Sequence, residues 1–234
     1  MHPTAEQVLP GTAPTDYENY LKTDALLALQ PGPDTWAHRD ELLFTVVHQS
    51  AELWLKLAVA EVEQSITQLD MGKRLAAVRS LDRVIECIDI ITSPLHMLER
   101  MTPWDYQHVR TSLGHGSGFD SPGFLRLRTA LPNLVAAVGR QLEADGLTLR
   151  DLYLAVEQNE EIFAIVERLI EIDEGLMKWR ALHTKVIERT IGKTVSGTQG
   201  TPVEIVRNLR DKSIMDELWT VRAELTELAD KTLR

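Results

Sequence analysis

The chain has 234 residues, enough for one domain with a substantial hydrophobic core. Hydrophobic residues make up 44%, which excludes global disorder, and the net charge of −10 argues against nucleic acid or an anionic membrane as the main partner, because phosphate neutralisation needs a basic face. The single cysteine, Cys87, excludes an intramolecular disulfide and any multi-cysteine metal site, and its setting between Val84 and Ile88 reads as a small buried hydrophobe. The first fifteen residues lack the basic-then-apolar pattern of a signal peptide, and no stretch approaches the ~18 apolar residues of a membrane span. The expectation is a soluble cytoplasmic protein.

Almost every long segment has helical periodicity. Residues 1–16, rich in Pro, Thr and Gly, read as a flexible arm, and 17–234 as one all-α domain. A first helix is predicted from about Tyr17 to Gln30, ended by Pro31-Gly32-Pro33. The next runs from about Ala37 to Met71, with Phe44, Val47, His48, Ala51 and Leu55 on one stripe. A third begins near Lys73, carries Leu75, Val78, Leu81, Ile85 and Ile88, and meets Pro94. Thr102-Pro103-Trp104-Asp105 is a helix start: Thr102 caps, Pro103 suits the first helical position, and Asp105 favours the positive end of the dipole. Gly114-His115-Gly116-Ser117-Gly118 reads as a loop; no strand precedes it, so it is not a dinucleotide fingerprint. Further helices are expected over 121–143 (interrupted near Pro132), 149–191 (with a candidate break at Gly175) and 203–233. A second polar loop, Thr194 to Pro202, directly follows the helix bearing His183. The architecture expected is an all-α bundle whose two glycine-containing loops close over a site.

His48 and His183 are the most informative residues. Each sits on the apolar stripe of its helix, where an imidazole needs a partner or a ligand. A di-metal carboxylate site needs two Glu-x-x-His pairs, and the only acid-x-x-His spacing is Asp105 to His108. The His-Glu-x-x-His helix of zinc proteases and the Gly-x-Ser-x-Gly elbow are both absent. A haem needs a slot between helices and one axial imidazole, and spacing leaves it open against two satisfied core histidines. Tyr106 and Arg110 lie one turn apart before the first loop, where an arginine suits a carboxylate, although a solvated helix-end arginine fits the same spacing. Tyr17 and Tyr20 fit simple helix packing. His96, His108 and His115 carry no ligand spacing.

At these residues the chain resembles the tryptophan 2,3-dioxygenase family. The similarity recurs in order, through Tyr17-Glu18-Asn19-Tyr20-Leu21, Asp40 to Phe44, His48-Gln49 with Glu52 to Lys56, Thr102-Pro103 with Tyr106 and Val109-Arg110, Ser117-Gly118-Phe119, Trp179-Arg180 with His183, Gly197-Thr198, and Asp216 to Arg222. The resemblance implies a helical bundle enclosing haem b, usually a homotetramer, that opens the indole ring of tryptophan with O2 as co-substrate to give an N-formylkynurenine-type product. It implies that His183 is the proximal iron ligand, that the distal His48 hydrogen-bonds the indole N–H, and that Arg110 binds the substrate carboxylate. It further implies that Thr198 helps hold the ammonium with a haem propionate, that Phe44, Tyr106 and Leu113 wall the indole, with Gly118 also in contact with substrate, and that Tyr17 and Tyr20 reach into a neighbouring subunit's pocket.

The chain departs from the family pattern in several places. The segment from Phe119 to Trp179 is shorter than usual. Asp120-Ser121-Pro122-Gly123 stands where glutamine, serine, leucine and glutamine are typical, Gly116 replaces a usual serine, and Gly197 to Pro202 differs from a usual Gly-Thr-Gly-Gly-Ser-Ser. Such changes point to a methylated tryptophan as an alternative substrate. They also leave open monooxygenation to an oxindole or hydroxylated tryptophan, and a haem- or indole-binding protein without turnover.

Overall fold

The computed structural model describes residues 7–197, 200, 203–210 and 212–233. Every regular element among them is helical. In chain order these are α1 (Asp16–Leu21), α2 (Thr23–Leu27), α3 (Asp40–Asp70), α4 (Arg74–Thr92), α5 (Leu95–Leu98), α6 (Pro103–Ser112), α7 (Pro122–Ala144), α8 (Leu149–Leu154), α9 (Glu160–Thr190), α10 (Val203–Asn208) and α11 (Asp216–Thr232), with 3-10 turns at Gly118–Asp120 and Val156–Gln158. The all-α expectation therefore holds. No helix among the described residues is long and apolar enough to cross a membrane.

The long helices α3, α4, α7 and α9 form the bundle. Each buries one stripe, and the stripes meet at Leu55, Leu69, Leu81, Leu134, Ile165 and Ile172, all essentially inaccessible. Gly72, in the left-handed region at φ +70, turns the chain between α3 and α4. Glu52 meets the start of α7 while Leu69 and Asp70 meet Gln141 and Arg140 near its end, so α3 and α7 run in the same direction. Arg168 pairs with Asp82, and Gly175 packs on Ile88 further along both helices, so α4 and α9 are parallel as well.

Several predicted boundaries shift for identifiable reasons. The first helix is two pieces, because Lys22 adopts the left-handed conformation (φ 56) between them. Leu75 is not in the core but 57% exposed; α4 turns Ala77, Leu81, Val84, Ile88 and Ile91 inward instead. Pro132 does not interrupt α7. The proline removes a ladder hydrogen bond at a cost of ~3 kcal/mol. Leu127, Leu131, Leu134 and Val138 stay buried on both sides of it, at ~1.5–3 kcal/mol each, so continuity wins.

Gly175 is no break either. A Cβ there would lie 3.0 Å from Ile88 Cγ2, so the glycine allows α9 to approach α4 closely. The break falls earlier, where the Asn159 side chain donates to the Ala155 carbonyl at 2.9 Å between α8 and α9. The predicted last helix is divided because fully buried Asp173 draws the chain ahead of α11 onto α9. Its carboxylate accepts from Ser213 Oγ at 2.7 Å, the Ile214 N–H at 2.9 Å and Trp219 Nε1 at 2.9 Å. The described part of the N-terminal arm is hydrogen-bonded to α1: Asp16 accepts from the backbone of Val8 and Leu9, and Asn19 from that of Ala13.

Candidate functional site

At one end of the bundle the large core gives way to a small apolar cluster of Val47, Leu95, Leu98 and Val186, with Leu43, Phe44, Trp179 and Leu182 packed against it. The two histidines sit on this cluster, each beside one of its members. His48 is on α3 and His183 on α9, and they are near enough to feel each other's charge.

Their surroundings differ. His48 Nδ1 lies 2.7 Å from the Phe44 carbonyl. A carbonyl only accepts, so Nδ1 carries the proton and Nε2 is left as an acceptor. The Phe44 ring stacks on the imidazole at 4.0 Å. Crowding by the protein lowers the His48 pKa although its surface remains open; the Phe44 carbonyl and then Glu52 oppose that shift. His183 has no hydrogen-bond partner among the described residues. Its ring stacks on Trp179 at 4.6 Å and 23°, and Phe124 backs Trp179 at 4.2 Å. Burial, with His48 adding to it, pulls the His183 pKa down to about 4, so the imidazole is neutral. A neutral imidazole without a hydrogen-bond partner among the described residues could ligate the metal of a cofactor. No group of three His, Cys, Asp or Glu among the described residues could hold a metal ion by protein ligands alone.

The other predicted residues divide into those near the histidines and those away from them. The Thr102 cap forms as expected, accepting from the Asp105 N–H at 3.2 Å, and starts α6. That helix brings Tyr106 to 6.2 Å from Phe44, ring to ring, and places Arg110 one turn further on. Burial raises the Tyr106 pKa, with Arg110 opposing, so the phenol keeps its proton. Arg110 Nη2 reaches the Ser196 carbonyl at 3.5 Å, linking α6 to the second polar loop. Gly118 faces His183: a Cβ there would be 3.9 Å from Cε1. Leu113 and Phe44 share a cavity of about 440 Å³ with Leu29, Pro31, Glu41 and Val109. Tyr106, Arg110 and His48 do not line it, so the predicted indole wall is divided, with this cavity toward the chain that follows α2. Tyr17 and Tyr20 are 68% and 75% exposed on α1. Thr198 lies outside the described residues. His96 pairs with Glu99 at 3.1 Å, and His108 stacks with His38 and meets Trp104 edge-on.

Glu52 and Trp179 carry part of the resemblance without a role, and the structure gives each one. Glu52, one turn after His48, accepts from Ser121 Oγ and from the Gly123 N–H at 2.9 Å, docking the first loop and the start of α7 on α3. A Cβ at Gly123 would fall 2.7 Å from both Glu52 Oε2 and Leu55 Cβ, so this approach requires glycine. Trp179 is one turn before His183. Both relations were available as i, i+4 spacing, which puts two side chains on one helix face.

The structure thus sets a neutral imidazole, with no hydrogen bond among the described residues, near a second imidazole in an all-helical bundle, with Phe44 and Trp179 stacked on the two rings. The family model described as tryptophan 2,3-dioxygenase matches residues 4–139. A tryptophan 2,3-dioxygenase of Herpetosiphon aurantiacus is 30% identical, covering 89% of this chain and 98% of the relative. Those of Bacillus thuringiensis subsp. konkukian and Shewanella woodyi are 28% and 26% identical, covering 89% of this chain and 92% and 90% of their own lengths. This chain belongs to the tryptophan 2,3-dioxygenase family and is an oxidoreductase of that type. The alignment with the Herpetosiphon enzyme spans 255 positions, more than this whole chain, in keeping with a segment that is shorter here.

Proposed function

We propose that this chain is a haem b-dependent dioxygenase that inserts both atoms of O2 across the indole C2–C3 bond of L-tryptophan or a methylated tryptophan, giving an N-formylkynurenine-type product. The observation that carries the reading is the opposite wiring of the two histidines: His48 is locked as an acceptor by the Phe44 carbonyl, while His183 is neutral and has no hydrogen bond from the described residues. The residues fit haem, because a porphyrin would bring most of the iron's ligands itself and His183 would supply the imidazole that holds it. Haem b supplies, when bound, the iron at which dioxygen is activated.

The chain's own residues account for the rest. His48 Nε2 accepts the indole N–H and holds the ring in one orientation. Arg110 gives the substrate carboxylate a planar, two-pronged donor, exchanging its long bond to Ser196 for a charge-assisted pair. Phe44 and Tyr106 provide flat apolar walls, with the phenol uncharged. Thr198 holds the ammonium group. Tyr17 and Tyr20, exposed on α1, close the pocket of a neighbouring copy in a homotetramer. The low pKa of His48 keeps it in its acceptor form through the neutral range, so kcat/KM should fall only when the pH drops below that lowered value.

The test is a substrate screen with haem-loaded, reduced protein in air, using L-tryptophan and its 2-methyl and β-methyl analogues. A formylkynurenine-type product from any of them supports the reading, and the better substrate identifies the natural class. Tryptophan-induced spectral shifts with no product would leave a binding protein, and no response to any indole amino acid would remove the reading.

A further inference from the structure

We propose that Trp179, backed by Phe124, is the positioning residue that fixes the imidazole plane of His183; the inference rests on the reading that His183 binds haem iron. A metal-ligating histidine commonly donates its second ring N–H to a carboxylate or carbonyl, and that bond sets the ring's orientation. His48 has such an anchor in the Phe44 carbonyl. Among the described residues His183 has none. The Trp179 face lies against its ring at 4.6 Å and 23° from parallel, and on the loop side a Cβ added at Gly118 would come to 3.9 Å from Cε1. Stacking therefore does for His183 what a hydrogen bond does for His48.

The stack is itself braced. Phe124 presses on Trp179 at 4.2 Å. Phe124 is held because the start of α7 is tied to α3 through Gly123 and Ser121 on Glu52. A continuous set of contacts thus runs from Glu52, one turn below His48, through Phe124 and Trp179 to His183. A free imidazole rotates about its Cβ–Cγ bond with little resistance, so removing the stack spreads the ring over several planes while the helix remains.

The experiment uses the haem-loaded full chain with Trp179→Met, which leaves a smaller apolar side chain without a flat face, and Trp179→Phe, which is also smaller but keeps one. The readouts are the width of the iron–histidine stretching band in the ferrous protein and the rate of haem transfer to apomyoglobin. The expected result is a broadened band and roughly ten- to hundredfold faster transfer for Trp179→Met, with Trp179→Phe near the parent on both. If Trp179→Met does not fold, Phe124→Leu is read the same way and should broaden the band. A parent-like band and transfer rate in the flat-face-less variant overturns the inference, as does equal loss in Trp179→Phe. Failure of the underlying reading is separately visible: the parent would take up no haem, or His183→Ala would retain it.

Discussion

Around Leu81, Leu134 and Ile172 the bundle is closed: side chains from four helices meet with no accessible surface. Around His48 and His183 the apolar cluster shrinks to Val47, Leu95, Leu98 and Val186, and the elements are joined by polar contacts: Glu52 to Ser121 and Gly123, Ser112 to Glu41 at 3.1 Å, Arg110 to Ser196. The first region derives its stability from buried area, which is non-directional. The second gives up buried area for groups that point in set directions, which is what orienting the proposed zwitterionic substrate would require. Damage to one region should therefore leave the other's property largely intact.

The largest separable effect should come from the closed region. Leu134→Ala removes a fully buried side chain between α7 and its neighbours and should destabilise the fold by about 2–5 kcal/mol, read as a lower urea midpoint. Its KM for tryptophan, measured well below the melting temperature, should be unchanged; a large KM shift would mean that the two regions are not separable.

The histidine end should be the acid-sensitive one. His183 has a folded pKa of about 4 against 6.5 unfolded, so between those values the unfolded chain binds more protons. Its contribution to the stability of the haem-free chain is complete above pH 6.5 and is lost as pH falls toward 4, up to about 3 kcal/mol. Urea titrations at pH 7 and pH 5 should show the loss, and His183→Phe should flatten the difference.

Smaller again, Arg110→Ala should raise KM for tryptophan roughly ten- to hundredfold, because a charged hydrogen-bonded pair disappears, while haem retention and the melt stay near the parent. The smallest effect expected is for Glu52→Gln, which keeps the shape and loses the charge at a cost of about 1 kcal/mol. Hydrogen exchange over 114–121 should quicken while amides in α4 do not change. Equal acceleration in both would show that Glu52 supports the whole bundle and not the loop.

The closed region was legible in the sequence because helical periodicity reports burial directly: Leu55 on α3 and Leu81 and Ile88 on α4 are buried as their stripes predict, whereas His48, placed on the same α3 stripe, is exposed at the other end. Its errors came where tertiary packing overrode a local rule, at Pro132 and Gly175, both of which read as breakers and both of which lie inside uninterrupted helices. The divided C-terminal helix could not be foreseen, because the cause is Asp173, forty residues earlier in the chain than Ser213. At the site, the resemblance named His48, His183, Phe44 and Tyr106, which the structure brings to one end of the bundle, but it did not give their wiring. Which imidazole nitrogen of His48 bears the proton depends on a carbonyl within its own helix, and the Phe124–Trp179–His183 stack depends on how α7 meets α9.

The most direct test of the central claim is the mass of the product formed from tryptophan, or from its better methylated analogue, by haem-loaded protein under heavy-isotope dioxygen. Retention of both heavy atoms in a ring-opened product is the result expected. A product carrying one heavy atom, with the indole ring intact, would contradict dioxygenation and show the same pocket working as a monooxygenase.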